Sequence, residues 1–225
     1  MQGVHRDAQP VFASDCLPQP LIFNAGNMSR QAMYLRTSEH EEAVRSLEWA
    51  AKQASEIASD PYQWKWTLIA LHNAAQGFMV LALWNGNGLL TMPDHVAAKW
   101  LKAYQGNRQF PEDRLDSFLN LYDKCKNPAN FNYCGSLAFA GSAEHDESFS
   151  DLNEFRNEFI HFTPKGWSLQ LDGLATVVLH ALDMIGHFGW CSTSILWHER
   201  DHRVRAKWAC RALQRTARKL EAQYA

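Results

Sequence analysis

Apolar residues recur at three- and four-residue intervals along most of the chain, and no segment shows the strict alternation of a half-buried strand. The first sustained pattern follows Thr37-Ser38-Glu39-His40-Glu41, where Ser38 and Glu41 have the spacing of a capping box. Val44, Leu47, Ala51, Ala54 and Ile57 then return at helical intervals. Asp60-Pro61 restarts the pattern as an N-cap and first helical residue, and the helix it opens is predicted to run to Trp84. That helix is apolar on nearly every side, so it is expected at the centre of the fold. Asn85-Gly86-Asn87-Gly88 ends it. Residues 66–84 also resemble a membrane span, but His72, Asn73, Gln76 and Gly77 sit in the middle and the flanks lack a basic cluster. A buried bundle helix explains the segment better.

Two shorter helices are predicted around residues 94–105 and 111–125, and the polar, glycine-containing stretch 127–148 reads as a long loop. A helix is expected over 150–162, where Pro164-Lys165-Gly166 breaks it. Residues 168–171 read as briefly extended. A long helix over 172–193 and a basic amphipathic one over 194–221 complete the pattern. Residues 1–35 contain Pro10, Pro18 and Pro20 without a sustained period. They read as an extension open to disorder, with Met28 and Met33 as alternative starts. The expected fold is all-α, an antiparallel helical bundle over residues 36–222.

Composition adds little until it is divided along the chain. The formal net charge of -2 and the 46% hydrophobic content are those of a soluble globular protein. Residues 200–220, however, hold eight Lys/Arg against Asp201 alone, which leaves 14 Lys/Arg and 23 Asp/Glu elsewhere. A basic end on an acidic body hints at an anionic partner. The five cysteines (Cys16, Cys125, Cys134, Cys191, Cys210) show no C-x-x-C pair, and no signal-peptide pattern opens the chain. Reduced thiols in a cytoplasmic protein are therefore expected.

Candidate chemistry concentrates in Phe155-Arg156-Asn157-Glu158-Phe159-Ile160-His161. On an ideal helix Leu152, Phe155, Phe159 and Phe162 share one face, which must be the core. His161 then lies roughly 180° and Asn157 roughly 140° from Leu152, with Arg156 about 40° away on the border. Asn157 and His161 are thus predicted to stack away from the core. With 13 Arg and 10 His in 225 residues, a given Arg-to-His offset arises by chance about 0.6 times, so context must carry the motif.

Arg156-Asn157-x-x-x-His161 resembles the signature of the HEPN (higher eukaryotes and prokaryotes nucleotide-binding) domains. There an arginine, usually followed by a polar residue, precedes a histidine by four to six intervening positions; here there are four. An all-helical setting, the upstream Leu71-His72-Asn73-Ala74-Ala75 and the continuation from Phe162 to Ser168 are also similar to that family. The likeness covers residues 37 to about 195 and is specific only at the motif. The long loop and the basic helix exceed a minimal domain of this type.

The resemblance implies a metal-independent endoribonuclease with two motifs facing each other across a homodimer, and no cofactor. Such proteins often serve as toxins or defence effectors, which implies an inhibitory, antitoxin-like partner. Arg156 would bind and stabilise the phosphate, His161 would transfer the proton, and Asn157 would orient the imidazole or bind the phosphate. RNA brings its own nucleophile, so an imidazole and a guanidinium suffice in kind. The alternative is a non-catalytic module of the same fold that binds a nucleotide or mates subunits.

Other constellations are weaker. His198-Glu199-Arg200-Asp201-His202 matches H-E-x-x-H, with Glu221 as a further carboxylate, and makes a zinc hydrolase a distant third reading. Charged residues at its two inner positions speak for a solvated helix. His180, Asp183 and His187 share a face, where interhelical hydrogen bonds explain them more simply than a metal. Trp167 is a candidate base-stacking residue whose commoner role is packing. His72 and Asn73 are either paired with another helix or part of the His161 site. Arg203, Lys207, Arg211, Arg215 and Lys219 repeat every four residues beside an apolar stripe of Ala206, Cys210, Leu213, Ala217 and Leu220. With Lys165, the first four are the candidate nucleic-acid contacts, a solvated face being the plainer alternative.

Overall fold

The computed structural model describes residues 33–133, 135–161, 166 and 168–224. Among them are seven α-helices and no strand: α1 Glu39–Glu56, α2 Gln63–Leu83, α3 Asp94–Gln105, α4 Phe118–Lys126, α5 Ala143–Ile160, α6 Leu174–Gly186 and α7 Arg200–Tyr224. These helices belong to one unit that begins at Thr37. The protein is an all-α bundle.

α1 starts where Ser38 accepts the amide of Glu41 at 3.2 Å. The Glu41 carboxylate itself is drawn across to α7, to His202 Nε2 at 2.7 Å and Arg205 Nη1 at 3.1 Å. The apolar face of α1 (Ala43, Val44, Leu47, Ala50, Ala54) is buried against α2 and α7. α2 begins at Gln63, slightly later than predicted, because Asp60 makes a turn instead of a cap. Its carboxylate accepts the Tyr62 amide at 3.0 Å and Gln63 Nε2 at 2.8 Å. α2 is buried on nearly all sides. Gly77 lets α1 approach closely, since a Cβ there would lie 2.7 Å from that of Ala43.

α1, α2, α5, α6 and α7 pack successively in a ring that α7 closes on α1, and α2 also meets α6 across the middle. α5 therefore lies on one side of the α2–α6 pair and α7 on the other. α4 covers α2 and α5, while α3 buries only Val96 and Ala103. By length and composition, Gln63–Leu83 and Leu174–Cys191 could each cross a membrane, but 67% and 56% of these windows are buried within the bundle.

Several boundaries differ from the sequence expectation. α4 begins at Phe118, because Asp116 is buried in a bond to Lys124 Nζ at 2.8 Å and the chain before it runs irregularly. α5 begins at Ala143 and not near residue 150, so the predicted loop is shorter. α6 ends at Gly186 and passes into a π-helical turn, His187–Cys191. α7 starts at Arg200, after a turn in which the buried Ser192 hydroxyl accepts the Leu137 amide at 2.9 Å. Residues 168–170 form no strand.

Candidate functional site on helix α5

Ser142 and His145 fix the start of α5: the Ser142 hydroxyl accepts the His145 amide, and His145 Nδ1 accepts the Ser142 amide at 3.2 Å. Phe149 and Leu152 are fully buried, and Phe155 and Phe159 pack partly buried against the same core. Phe162 lies outside the described residues. The core face is thus the predicted one, and it leaves Arg156 at its border, partly buried.

Arg156 Nη1 donates to Asn157 Oδ1 at 3.0 Å. The amide beside the arginine therefore holds the guanidinium, and no ion pair joins Arg156 to a carboxylate among the described residues. The His161 amide donates to the Asn157 carbonyl at 2.8 Å, closing the last turn. His161 itself caps the helix with φ -99° and ψ 43°, outside helical geometry. Its imidazole is exposed, as expected, but the helical-wheel angle does not apply to it. A cationic fork and a free imidazole thus stand at one end of α5, about one turn apart.

The polar break predicted in α2 faces α5. His72 is only 3% exposed, and its Nε2 lies 3.4 Å from Asn153 Oδ1. Because an amide oxygen only accepts, Nε2 must carry the proton, which leaves Nδ1 bare and buried without a partner. Phe118 of α4 stacks on the ring at 3.9 Å between centroids. Burial holds the His72 pKa down at about 4, and the positive charge of Arg156 pushes the same way. His72 is thus paired with α5, at Asn153, about two turns before His161. Asn153 went unremarked in the sequence, since nothing local distinguishes it from a solvated amide.

The N-terminal turn of α2 meets the C-terminal turn of α5. Lys65 Nζ lies 5.0 Å from the Trp66 ring centre, 5.7 Å from Tyr62 and 6.0 Å from Phe159. The His72–Asn153 and Lys65–Phe159 contacts together give an antiparallel register that carries α2 alongside Arg156. A different flank of α5 is acidic: Glu147, Asp151 and Glu154 lie one turn apart along it. Burial, then the charges of Glu147 and Glu154, raise the Asp151 pKa.

The H-E-x-x-H reading is corrected by the helix start. α7 begins at Arg200, so His198 and Glu199 precede it and do not share a helix face with His202. His202 Nε2 is taken by Glu41 at 2.7 Å, and Glu221 accepts from Thr176 at the far end of α7. No group of three His, Cys, Asp or Glu side chains is placed to hold a metal among the described residues. His198 and His202 instead line, with His40, Trp84 and Tyr133, a cleft of about 590 Å³ that includes no residue of α5. His180 Nδ1 bonds Ser148 of α5 at 2.7 Å and His187 Nε2 bonds the Leu137 carbonyl at 2.9 Å, so both make contacts between elements.

Arg203, Lys207, Arg211 and Arg215 are exposed on α7, with Trp208 64% exposed among them. Arg205 is the exception, since its guanidinium meets Glu48 at 2.8 Å through both Nε and Nη2. The ribbon and the Arg156 motif lie on opposite sides of the α2–α6 pair. Lys165 and Trp167 fall outside the described residues. Compared with protein-family models, curated proteins and solved structures, the chain has no significant match.

Proposed function

We propose that the protein is a HEPN-like, metal-independent endoribonuclease that works as a cytoplasmic homodimer. The observation that supports this reading is the Arg156 fork, held by Asn157 and unpaired with a carboxylate, beside the exposed imidazole of His161. The 2′-hydroxyl of the substrate attacks the adjacent phosphorus while one His161 takes its proton. The 5′-oxygen of the next nucleotide leaves with a proton from a second His161, supplied by the partner copy, and a 2′,3′-cyclic phosphate remains. Arg156 neutralises the charge that accumulates on the phosphorane oxygens. Asn157 positions the guanidinium, while Lys165, Arg203, Lys207, Arg211 and Arg215 attract the RNA backbone. A toxin or defence role, restrained by an antitoxin-like partner, follows from the same resemblance.

A second reading is favoured by the acidic flank of α5. Carboxylates at Glu147, Asp151 and Glu154 repel a polyanion, and suit a module that binds one nucleotide or another protein without cleaving RNA. The experiment that decides is incubation of RNA in excess EDTA with wild type and His161→Ala. Cleavage by wild type alone, leaving cyclic phosphate ends, sustains the nuclease. Equal cleavage by both, or none by pure wild type, removes it.

A further inference from the structure

We infer that the cleft where the first turns of α1 and α7 meet the last turn of α2 is a binding site for a small organic cation, an amine that carries an aromatic group. It includes no residue of α5, so it goes beyond the ribonuclease reading and stands or falls apart from it. Its volume of about 590 Å³ is that of a small-molecule pocket. Glu39 and Glu199 line it, and among the described residues no lysine or arginine does. The positive dipole ends of α1 and α7 open here too, but each is offset by its own acids, Glu39, Glu41 and Glu42 on α1 and Asp201 on α7. The end of α2 contributes the negative end of a helix dipole, which favours a cation.

Trp84 caps α2 in this cleft and is 47% exposed. Gly88 backs its ring closely: φ there is +67°, and a Cβ would lie 3.2 Å from the indole. An indole face is the best aromatic partner for an ammonium group. Val80 and Leu81, about one turn earlier on α2, offer apolar contact to the rest of the ligand. Glu199 stands 3.8 Å from His202 Nδ1, too far for a hydrogen bond, so its carboxylate stays available. His40 Nε2 donates to the Leu196 carbonyl at 2.9 Å, which leaves Nδ1 as an acceptor for an ammonium proton. Burial, and after it the neighbouring His198 and His202, lower the pKa of His40 against the pull of that hydrogen bond, which keeps the ring neutral.

The test is isothermal titration calorimetry of the full chain at neutral pH with phenethylamine, phenethyl alcohol and hydrocinnamate, which differ chiefly in the charge of the head group. The variants are Trp84→Ala and Glu39→Gln/Glu199→Gln, checked for folding by circular dichroism, with Trp49→Ala, a half-exposed tryptophan of α1, as control. The amine is expected to bind wild type about tenfold more tightly than the alcohol, with the carboxylate weakest. Trp84→Ala loses about tenfold in Kd and the double glutamine variant about three- to tenfold, while Trp49→Ala matches wild type. A free amine shares its ammonium chemistry with the lysine side chain of a peptide. Nα-acetyl-lysinamide separates the two, and is expected to bind more weakly because it has no ring for Trp84. Hydrocinnamate binding as tightly as phenethylamine, no binding of the amine at millimolar concentration, tighter binding of the lysinamide, or undiminished binding by both variants overturns the site.

Discussion

Acidification should destabilise this bundle through a single buried imidazole. His72 ionises near its ordinary 6.5 in the unfolded chain and near 4 in the folded one. Its folded-state pKa is lowered, so between those values the unfolded chain binds the extra proton. The stabilisation is complete above pH 6.5 and is lost as the pH falls toward 4. The full difference is about 3 kcal/mol, and about 2.5 kcal/mol of it is gone by about pH 4.5. The cause is local: burial under the Phe118 ring of α4 comes first, and the charge of Arg156 on α5 adds to it against the opposing hydrogen bonds of Asn153 and Asn73. Urea unfolding of wild type and His72→Gln at about pH 7 and about pH 4.5 reads the effect, because glutamine can still donate to Asn153 but cannot ionise. His40, whose pKa is also lowered, and Asp151, whose pKa is raised, titrate in both proteins and cancel in the comparison. The expected result is that wild type loses about 2.5 kcal/mol more than the variant over that range. Parallel losses in the two proteins would refute a neutral, buried His72.

Gly77→Ala should destabilise by about 1 to 3 kcal/mol despite the better helix propensity, because the new methyl meets the Ala43 backbone and side chain. Thermal melting with an unchanged midpoint would show that α1 can yield. Arg205→Met should lower stability by roughly 1 to 2 kcal/mol at neutral pH and low salt, after allowance for solvent screening. Glu41, held down at about 2 chiefly by Arg205, gives stability above pH 4.5 that is lost as the pH falls toward 2, so the variant's acid limb should flatten in that window. Ser142→Ala should cost about 1 kcal/mol by removing the cap of α5, read from the urea midpoint. If the nuclease reading holds, Asn157→Ala should lower kcat at unchanged stability, since it frees the guanidinium; light scattering at micromolar concentration should find a dimer, and a monomer would count against a two-histidine site.

Periodicity made the bundle legible, down to the core-facing side of α5, because burial requires it wherever a helix lies. Local rules failed where a distant partner intervenes. Glu41 has capping-box spacing, yet Arg205 and His202 claim its carboxylate. The first turns of α5, Ala-Glu-His-Asp-Glu-Ser, look like loop because they carry no apolar period, although Ser148 is buried against His180, and a histidine closes the cap where the usual pattern has Glu or Gln. His198 and His202 match a metal-binding spacing only if helix continues through them, and it starts between them. His72 stood out as a polar misfit in α2, but its partner Asn153 depends on helix register, which no local pattern encodes.

The seam between α1 and α7 also has a bearing on biosynthesis. Glu48 and Glu41 reach Arg205 across 157 and 164 residues. At ordinary translation rates of about 5 to 20 residues per second, roughly ten to thirty seconds separate the synthesis of one side from the other. Through that interval the nascent α1–α2 hairpin can close on its own, by way of the Ala43–Gly77 contact, while the flank that awaits α7 stays wet and open to chaperones. The slow step of folding is therefore expected to be the docking of α7, which can begin only once that helix has left the ribosome, and a chain cut before Arg200 should be helical but readily proteolysed.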